Sequence, residues 1–155
     1  MRLTVGPKWT PPFQLEELRL RSCHLGPRFP HWLHSQKFLA EVDLSNSGIL
    51  DSIPNQFWKS LSKFVDLNLS HNQIHGEIPS LTKEIRFDSL DLSSNNLSGP
   101  LPLIYPINRF DLSNNNFSGS ISHFVCHRIH ESKETEFLKL RGNFLTEELP
   151  DCWNI

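Results

Sequence analysis

The sequence predicts an α/β repeat solenoid: a right-handed coil with a parallel β-sheet on its concave side and short irregular or 3-10 connections on its convex side. Three observations predict it. A pattern of apolar residues leading to an asparagine recurs along the chain. The middle of each copy alternates apolar and polar with period two, as a half-buried strand does. Copies then close on a glycine or a proline, which turn the chain.

The clearest copy is Phe64 to Pro79, F-V-D-L-N-L-S-H-N-Q-I-H-G-E-I-P. With Phe64 as position 1, apolar residues stand at positions 1, 4, 6 and 11 (Phe64, Leu67, Leu69, Ile74) and Asn72 at position 9. The same frame fits five more times. Its position-6 leucines are Leu20, Leu44, Leu69, Leu92, Leu112 and Leu140, at separations of 24, 25, 23, 20 and 28 residues. That period with LxxLxLxxNxL is the signature of a leucine-rich repeat.

The expected organisation is one array over 1–155, with a partial repeat at 1–14 and six repeats starting near 15, 39, 64, 87, 107 and 135. Repeat one runs from Leu15 to Pro30, with Cys23 at the asparagine place; Trp32 and Leu33 of its connection are expected to turn inward. Repeat two uses Val42, Leu44 and Ile49, with Ser47 for the asparagine. Phe57, Trp58 and Leu61 of its connection fall at helical spacing, and Asn55 is positioned to cap that turn. Repeat four is Phe87 to Pro102. Its link to repeat five is short, and Pro102 and Pro106 keep it from being helical. Repeat five uses Phe110, Leu112, Asn115 and Phe117. His123 to Glu134 is expected to form about three helical turns after a Ser122 cap. Repeat six uses Leu138, Leu140, Asn143 and Leu145 before Glu148-Leu149-Pro150. The asparagines at 72, 95, 115 and 143 are read as a structural ladder, each pairing with backbone of its own turn and the next. Neither end reads as a polar cap, so the chain is read as a piece of a longer solenoid.

The bulk properties exclude several classes. A net charge of -2 at pH 7 is near balance, which points away from nucleic acid and anionic membranes. No apolar run approaches the ~18 residues of a membrane helix. The opening M-R-L-T-V-G-P-K-W has no apolar core and is not a signal peptide. Ser, His and Asp recur in step with the repeat, with no G-x-S-x-G, phosphate loop or isolated carboxylate pair, so neither an enzyme nor a cofactor is expected.

Gly76-Glu77-Ile78-Pro79, Gly99-Pro100-Leu101-Pro102 and Gly119-Ser120-Ile121 resemble the LxGxIP segment of plant extracellular leucine-rich repeats. In that class the segment forms a second short sheet and twists the coil. W-T-P-P-F-Q-L (9–15), S-C-H-L-G-P-R-F-P-H-W-L (22–33) and E-L-P-D-C-W (148–153) resemble the receptor-like proteins of plants, in the branch holding the tomato xylanase receptor and scab-resistance proteins. The resemblance implies an extracellular array anchored at the plasma membrane by one helix, with a short tail and no kinase. It implies sensing of microbial or endogenous ligands and signalling through partner receptor kinases in defence or development. The chain lacks that family's signal peptide, caps, membrane helix and tail. Three further readings stay open: a secreted inhibitor like the polygalacturonase-inhibiting proteins, a piece of a receptor-kinase ectodomain, and a truncated product with no function of its own.

Cys126 and Cys152 are 26 residues apart, about one repeat, within reach of a disulfide when coils stack; two separate thiols are the alternative. Cys23 is left over, free and buried. Sequons stand at Asn68, Asn96 and Asn116. Asn96 and Asn116 are expected on exposed turns and Asn68 on the concave side. The concave face is the default binding surface of a solenoid, and its outward residues include Glu17, Arg19, Glu41, Asp43, Asp66, His71, Arg109, Phe137 and Lys139. Stacked like charges at Glu41, Asp43 and Asp66 cost stability unless paired, a hint of a basic partner; the alternative is that they keep an open face soluble. Phe137 either anchors a partner or tucks beneath the long loop, the preferred reading. His123, His127 and His130 share a helix face with Glu131 and Glu134 near; the spacing permits a metal, but a solvated face is preferred.

Overall fold

In the computed structural model the described residues are 1–61, 64–131, 135–146 and 152, with backbone alone at 64, 82–84 and 128–131. In chain order the strands are β1 (Glu17–Arg19), β2 (Glu41–Asp43), β3 (Phe64–Asn68), β4 (His75–Gly76), β5 (Leu81–Asp91), β6 (Asn96–Gly99), β7 (Ile104–Asp111), β8 (Asn116–Ser120), β9 (Phe137–Lys139) and β10 (Phe144–Thr146). A 3-10 helix spans His31–Ser35, α1 spans Asn55–Ser60 and α2 spans Ile121–Glu131. All strand pairs are parallel. They form a six-stranded sheet, β1-β2-β3-β5-β7-β9, and a four-stranded sheet, β10-β8-β6-β4.

The alternation explains the core. Positions 4 and 6 point inward from each concave strand, and position 11 closes over them. In the middle coils these residues are buried: Val42, Leu67, Leu90 and Phe110 at position 4, and Leu44, Leu69, Leu92 and Leu112 at position 6. In the outermost described coils the same positions are only half-covered, and Leu138 is 40% exposed. Burial here comes from neighbouring coils, as a one-dimensional stack requires.

The asparagine ladder is present. Asn95 donates from Nδ2 to Leu69 O (3.0 Å), Leu92 O (3.2 Å) and Ser93 O (3.2 Å), and its Oδ1 accepts from Ile74 N (3.0 Å). Asn72, Asn115 and Asn143 repeat this pattern. The ladder runs to each asparagine's own coil and the preceding one, not the following one, because the side chain leans back under its turn. Ser47, lacking an amide, donates its single Oγ–H within reach of Leu20 O and Ser45 O, both at 3.1 Å.

The two sheets stack differently. In the concave sheet equal positions face each other, as in Glu41↔Asp66 and Asp66↔Ser89. In the second sheet position 12 of one coil faces position 10 of the next: His75↔Asn96, Ser98↔Asn116 and Ser118↔Phe144. The isolated parallel bridge Arg2↔His24 places Met1–Leu3 beside position 10 of repeat one. Two residues of offset is about 6.6 Å along the strand at ~3.3 Å each. A stack level on one side and slipping on the other must twist.

The convex connections correct several expectations. Trp32 and Leu33 are the buried residues of the 3-10 helix, turned inward as expected. Asn55 is the first residue of α1, and Pro54 holds the cap position with no side-chain cap bond. The α2 helix starts at Ile121, so Ser122 lies inside it; Ser120 Oγ accepts from Ser122 N at 3.1 Å and takes the capping role. Glu134 lies outside the described residues, as do Glu148, Leu149 and Pro150. Between repeats three and five the convex side is strand rather than irregular link: β5 and β7 pair there at Leu81↔Ile104 and Thr82↔Tyr105. The sequence reading also missed Gln36, which is buried, accepts from Leu15 N at 2.8 Å and donates to Phe13 O at 3.0 Å. Cys126 and Cys152 are joined by a disulfide with Cα atoms 5.6 Å apart. The bridge ties α2 to residue 152, and closing a loop of this length stabilises by about 3.5 kcal/mol on the chain-entropy estimate. Cys23 is a free thiol but half-buried rather than buried.

One glycine lies directly against the backbone of the next coil. A Cβ on Gly26 would lie 1.6 Å from Gly48 O, a collision with backbone that no side-chain adjustment relieves. Gly26→Ala is therefore expected to cost more than about 3 kcal/mol in urea unfolding. Gly119→Ala, where an added Cβ meets nothing within 4 Å, is expected to cost less, through its positive φ of 90° alone.

Candidate functional site

The concave sheet aligns the candidate residues in rows. Position 3 carries Glu17, Glu41, Asp66, Ser89, Arg109 and Phe137 in direct register. Position 5 carries Arg19, Asp43, Asn68, Asp91, Asp111 and Lys139. Equivalent residues are about 4.8 Å apart across the ladder.

The rows are not equally free. In four successive coils the position-5 side chain is held by the serine two residues on. Asp43 Oδ1 accepts from Ser45 N (2.9 Å) and Ser45 Oγ (2.6 Å). Asn68 with Ser70, Asp91 with Ser93 and Asp111 with Ser113 do the same, with Oγ distances of 2.6 to 2.7 Å. These serines are buried. The D-L-S spelling is thus a local brace, and it commits one oxygen of Asp43 to the fold. Coils one and six replace it with Arg19/Arg21 and Lys139/Arg141.

Position 8 is set by backbone conformation, which the sequence reading did not see. Ser22, Asn46, His71, Ser94 and Asn114 all have φ between 52° and 57°, the left-handed region that Asn and Gly tolerate best. Their N–H groups are donated to the next coil, as in His71 N to Ser93 O at 3.0 Å. Of their side chains, Asn46 Nδ2 donates to Ser22 Oγ at 3.1 Å, which links two of them across the coils. A concavity of about 460 Å³ lies among Arg21, Ser22, Asn46, Asn68, His71 and Asp91.

The charges at position 3 are partly resolved. Arg19 bridges Glu17 Oε1 at 2.9 Å and Glu41 Oε1 at 2.6 Å, and its guanidinium is held more firmly protonated, first by the hydrogen bond to Glu41. Asp66 has no cation in that network. Its carboxyl is pushed above the usual range, first by partial burial and then by Asp88 and Glu41, against a bond from the Ser89 backbone. At the other end Lys139 Nζ stands 3.4 Å from Asp111 Oδ2 and 5.3 Å from the centre of the Phe137 ring. Phe137 is 52% exposed; no described loop covers it, contrary to the preferred expectation. Arg109 is exposed between Ser89 and Phe137.

The other candidates separate. Asn96 and Asn116 are exposed, but they open strands β6 and β8 rather than lying on turns. Asn68 is half-buried, with Oδ1 committed to Ser70. His123 is exposed while His127 packs on Tyr105 with ring centres 5.2 Å apart, so the helix face is not wholly solvated. The side chains of His130 and Glu131 lie outside the described residues. Among the described residues no three His, Cys, Asp or Glu side chains converge as a metal site.

The Asp66 arrangement fixes a sign. A carboxyl raised in the folded state binds more protons there than in the unfolded chain, where its value is about 3.9. Stability attributable to it therefore falls as pH rises from that value through the raised one. Asp66→Asn is expected to stabilise at pH 7 by a few tenths to about 1 kcal/mol, the scale of one unfavourable cross-strand pair. The gain should vanish below about pH 4 in thermal melts.

The repeat profile described as Leucine Rich Repeat matches residues 63–84, 86–105 and 107–127. Receptor-like protein EIX2 of Solanum lycopersicum is 40% identical over 147 residues, 94% of this chain and 14% of that protein. Receptor-like protein 7 of Arabidopsis thaliana is 35% identical over 144 residues, 91% of this chain and 14% of that protein. The chain thus spans about 14% of the length of these relatives. Among solved structures, the plant peptide hormone receptor RGFR1 in complex with RGF2 matches with a TM-score of 0.72 and 29% identity, over 90% of this chain and 22% of that one. The Arabidopsis HAESA receptor-kinase ectodomain, in complex with an IDA peptide hormone, matches with a TM-score of 0.73 and 27% identity, over 87% of this chain and 22% of that one. The chain belongs to the leucine-rich-repeat family, in the class of the plant receptor-like proteins.

Proposed function

We propose that this chain is a ligand-binding stretch of a plant cell-surface receptor-like protein, acting on the extracellular side of the plasma membrane in defence or developmental signalling. The observation that carries the reading is the concave sheet itself. Six strands in register present position 3, and the turns that follow them present position 8, as two rows of side chains on the open side of the sheet. An open face of ordered polar groups is what recognition of an extended chain needs. The higher identity to receptor-like proteins than to receptor-kinase ectodomains supports the first class over the second. The peptide complexes of the structural neighbours support an extracellular peptide or protein as the ligand, and a co-receptor kinase as the signalling partner of the whole protein.

Glu17, Arg19, Glu41, Asp66, His71, Arg109, Phe137 and Lys139 are assigned to ligand contact; Asp43 contributes only the carboxylate oxygen its brace leaves over. The acid-rich coils would take basic side chains, with Asp66 the group that gains most from a cation. Asn96 and Asn116 are assigned as glycan acceptors: both are exposed and stand away from the concave face. A glycan on Asn68 would stand on the binding face.

The test is selection of random dodecapeptides against the chain secreted from a eukaryotic host behind a supplied leader. Peptides rich in Lys and Arg are expected to emerge. Each should bind at least tenfold more weakly, about 1.4 kcal/mol, to a variant carrying Glu41→Lys, Asp66→Lys and Arg109→Glu. Glycosidase treatment should remove sugar from Asn96 and Asn116. Selected peptides that bind the triple variant equally well would remove the concave face from the account.

A further inference from the structure

A second surface lies away from the concave face. The segment Met1–Pro7, the turn Leu25–Pro30 and the 3-10 helix enclose a groove of about 600 Å³. That volume is in the range of sites that bury a small ligand or a few side chains. Its walls include Leu3, Val5, Phe29 and Trp32, with prolines from three segments. Phe29 and Trp32 are 4% and 5% exposed, so the apolar surface is recessed.

The charge around this groove is one-sided. Arg2, Arg28 and His31 line it and are exposed. The single acid lining it, Asp51, is already engaged: Oδ2 accepts from Phe29 N at 3.1 Å and Oδ1 from Ser52 N at 2.9 Å. Among the described residues no ion pair reaches Arg2 or Arg28. The groove is also stiff. Gly26 is locked against Gly48, Leu50 N donates to Pro27 O at 2.7 Å, and proline restricts φ on both walls. A rigid apolar slot with unspent cations at its rim loses little entropy when it binds a complementary segment.

We propose that this flank groove docks an acidic, leucine-bearing peptide segment of a protein partner, independently of the concave ligand site. The carboxylates meet Arg2 and Arg28, where a guanidinium takes both oxygens of a carboxylate. The leucine side chain enters over Phe29 and Trp32. A bilayer surface fits less well, because the apolar residues lie at the bottom of the slot where a flat interface does not reach.

The probe is a fluorescein-labelled heptapeptide, Leu-Glu-Pro-Leu-Glu-Glu-Leu, titrated against the full 155-residue chain by anisotropy. The expected results are saturable binding, at least tenfold weaker binding to Arg2→Glu/Arg28→Glu, and unchanged binding to Lys59→Glu, exposed on α1. The analogue with lysine for every glutamate should bind at least tenfold more weakly. An unchanged melting temperature for the double variant would assign the loss to the groove rather than to unfolding. Should the double variant unfold, Arg2→Gln and Arg28→Gln singly carry the same test, each with a smaller loss. Equal binding by the double variant, or by the lysine peptide, overturns the proposal. So does failure of the peptide to bind while the chain sediments with phosphatidylserine vesicles through the same two arginines.

Discussion

Coils three to six of this protein are each tied to the one before by a single asparagine amide. The position-9 side chain accepts a backbone N–H from the preceding coil and donates to carbonyls of both coils, as Asn95 does between coils three and four. Turn residues at the end of a strand leave N–H and C=O groups with no sheet partner, and burying them bare is costly. One asparagine satisfies several at once because its amide carries both donors and acceptors. The core leucines supply the hydrophobic term, but they do not fix where one coil sits on the next. The amide does.

That constraint shapes the candidate binding face. With positions 4, 6, 9 and 11 facing inward, and position 5 braced by the serine at position 7 in coils two to five, the side chains left to meet a partner are those of positions 3 and 8, joined by Arg19 and Lys139 at position 5 of the end coils. The left-handed turn at position 8 lifts His71, Asn46 and Asn114 to the same rim of the sheet. The face is therefore narrower than a count of outward residues suggests. Its acidic end is held by Arg19 between two glutamates, and its far end carries an aromatic-cation pair at Phe137 and Lys139.

Most of the fold was legible because it is written several times. Period, alternation and the asparagine place located the concave strands, the buried leucines and the ladder. The convex side was harder because it does not repeat: a 3-10 helix, two α-helices and a pair of extended strands serve the same purpose there. Ser120 rather than Ser122 caps α2, a shift of two residues that propensity does not resolve. The braces are legible in principle, since Asp-Leu-Ser places a hydroxyl two residues from a carboxylate on the same side of a strand. Gln36 and Gly26 left no periodic signal. Their roles depend on which backbone comes near, and sequence spacing does not contain that distance. Phe137 was judged by what an exposed aromatic usually avoids, and no described element covers it.

The most direct test of this account is urea unfolding of Asn95→Ala beside Asn96→Ala, with hydrogen exchange at the Ile74 amide. The account predicts a loss of about 2 kcal/mol or more for Asn95→Ala, since it strands the buried Ile74 N–H at about 1–3 kcal/mol and takes one donor each from the carbonyls of Leu69, Leu92 and Ser93, which keep their bonds from Asn72, Asn115 and His71. Exchange at Ile74 should rise with it. Asn96→Ala, at an exposed neighbour, should stay within about 0.5 kcal/mol. An Asn95→Ala chain within 1 kcal/mol of the unaltered one, with Ile74 still protected, would mean that core packing alone registers the coils and would contradict the account.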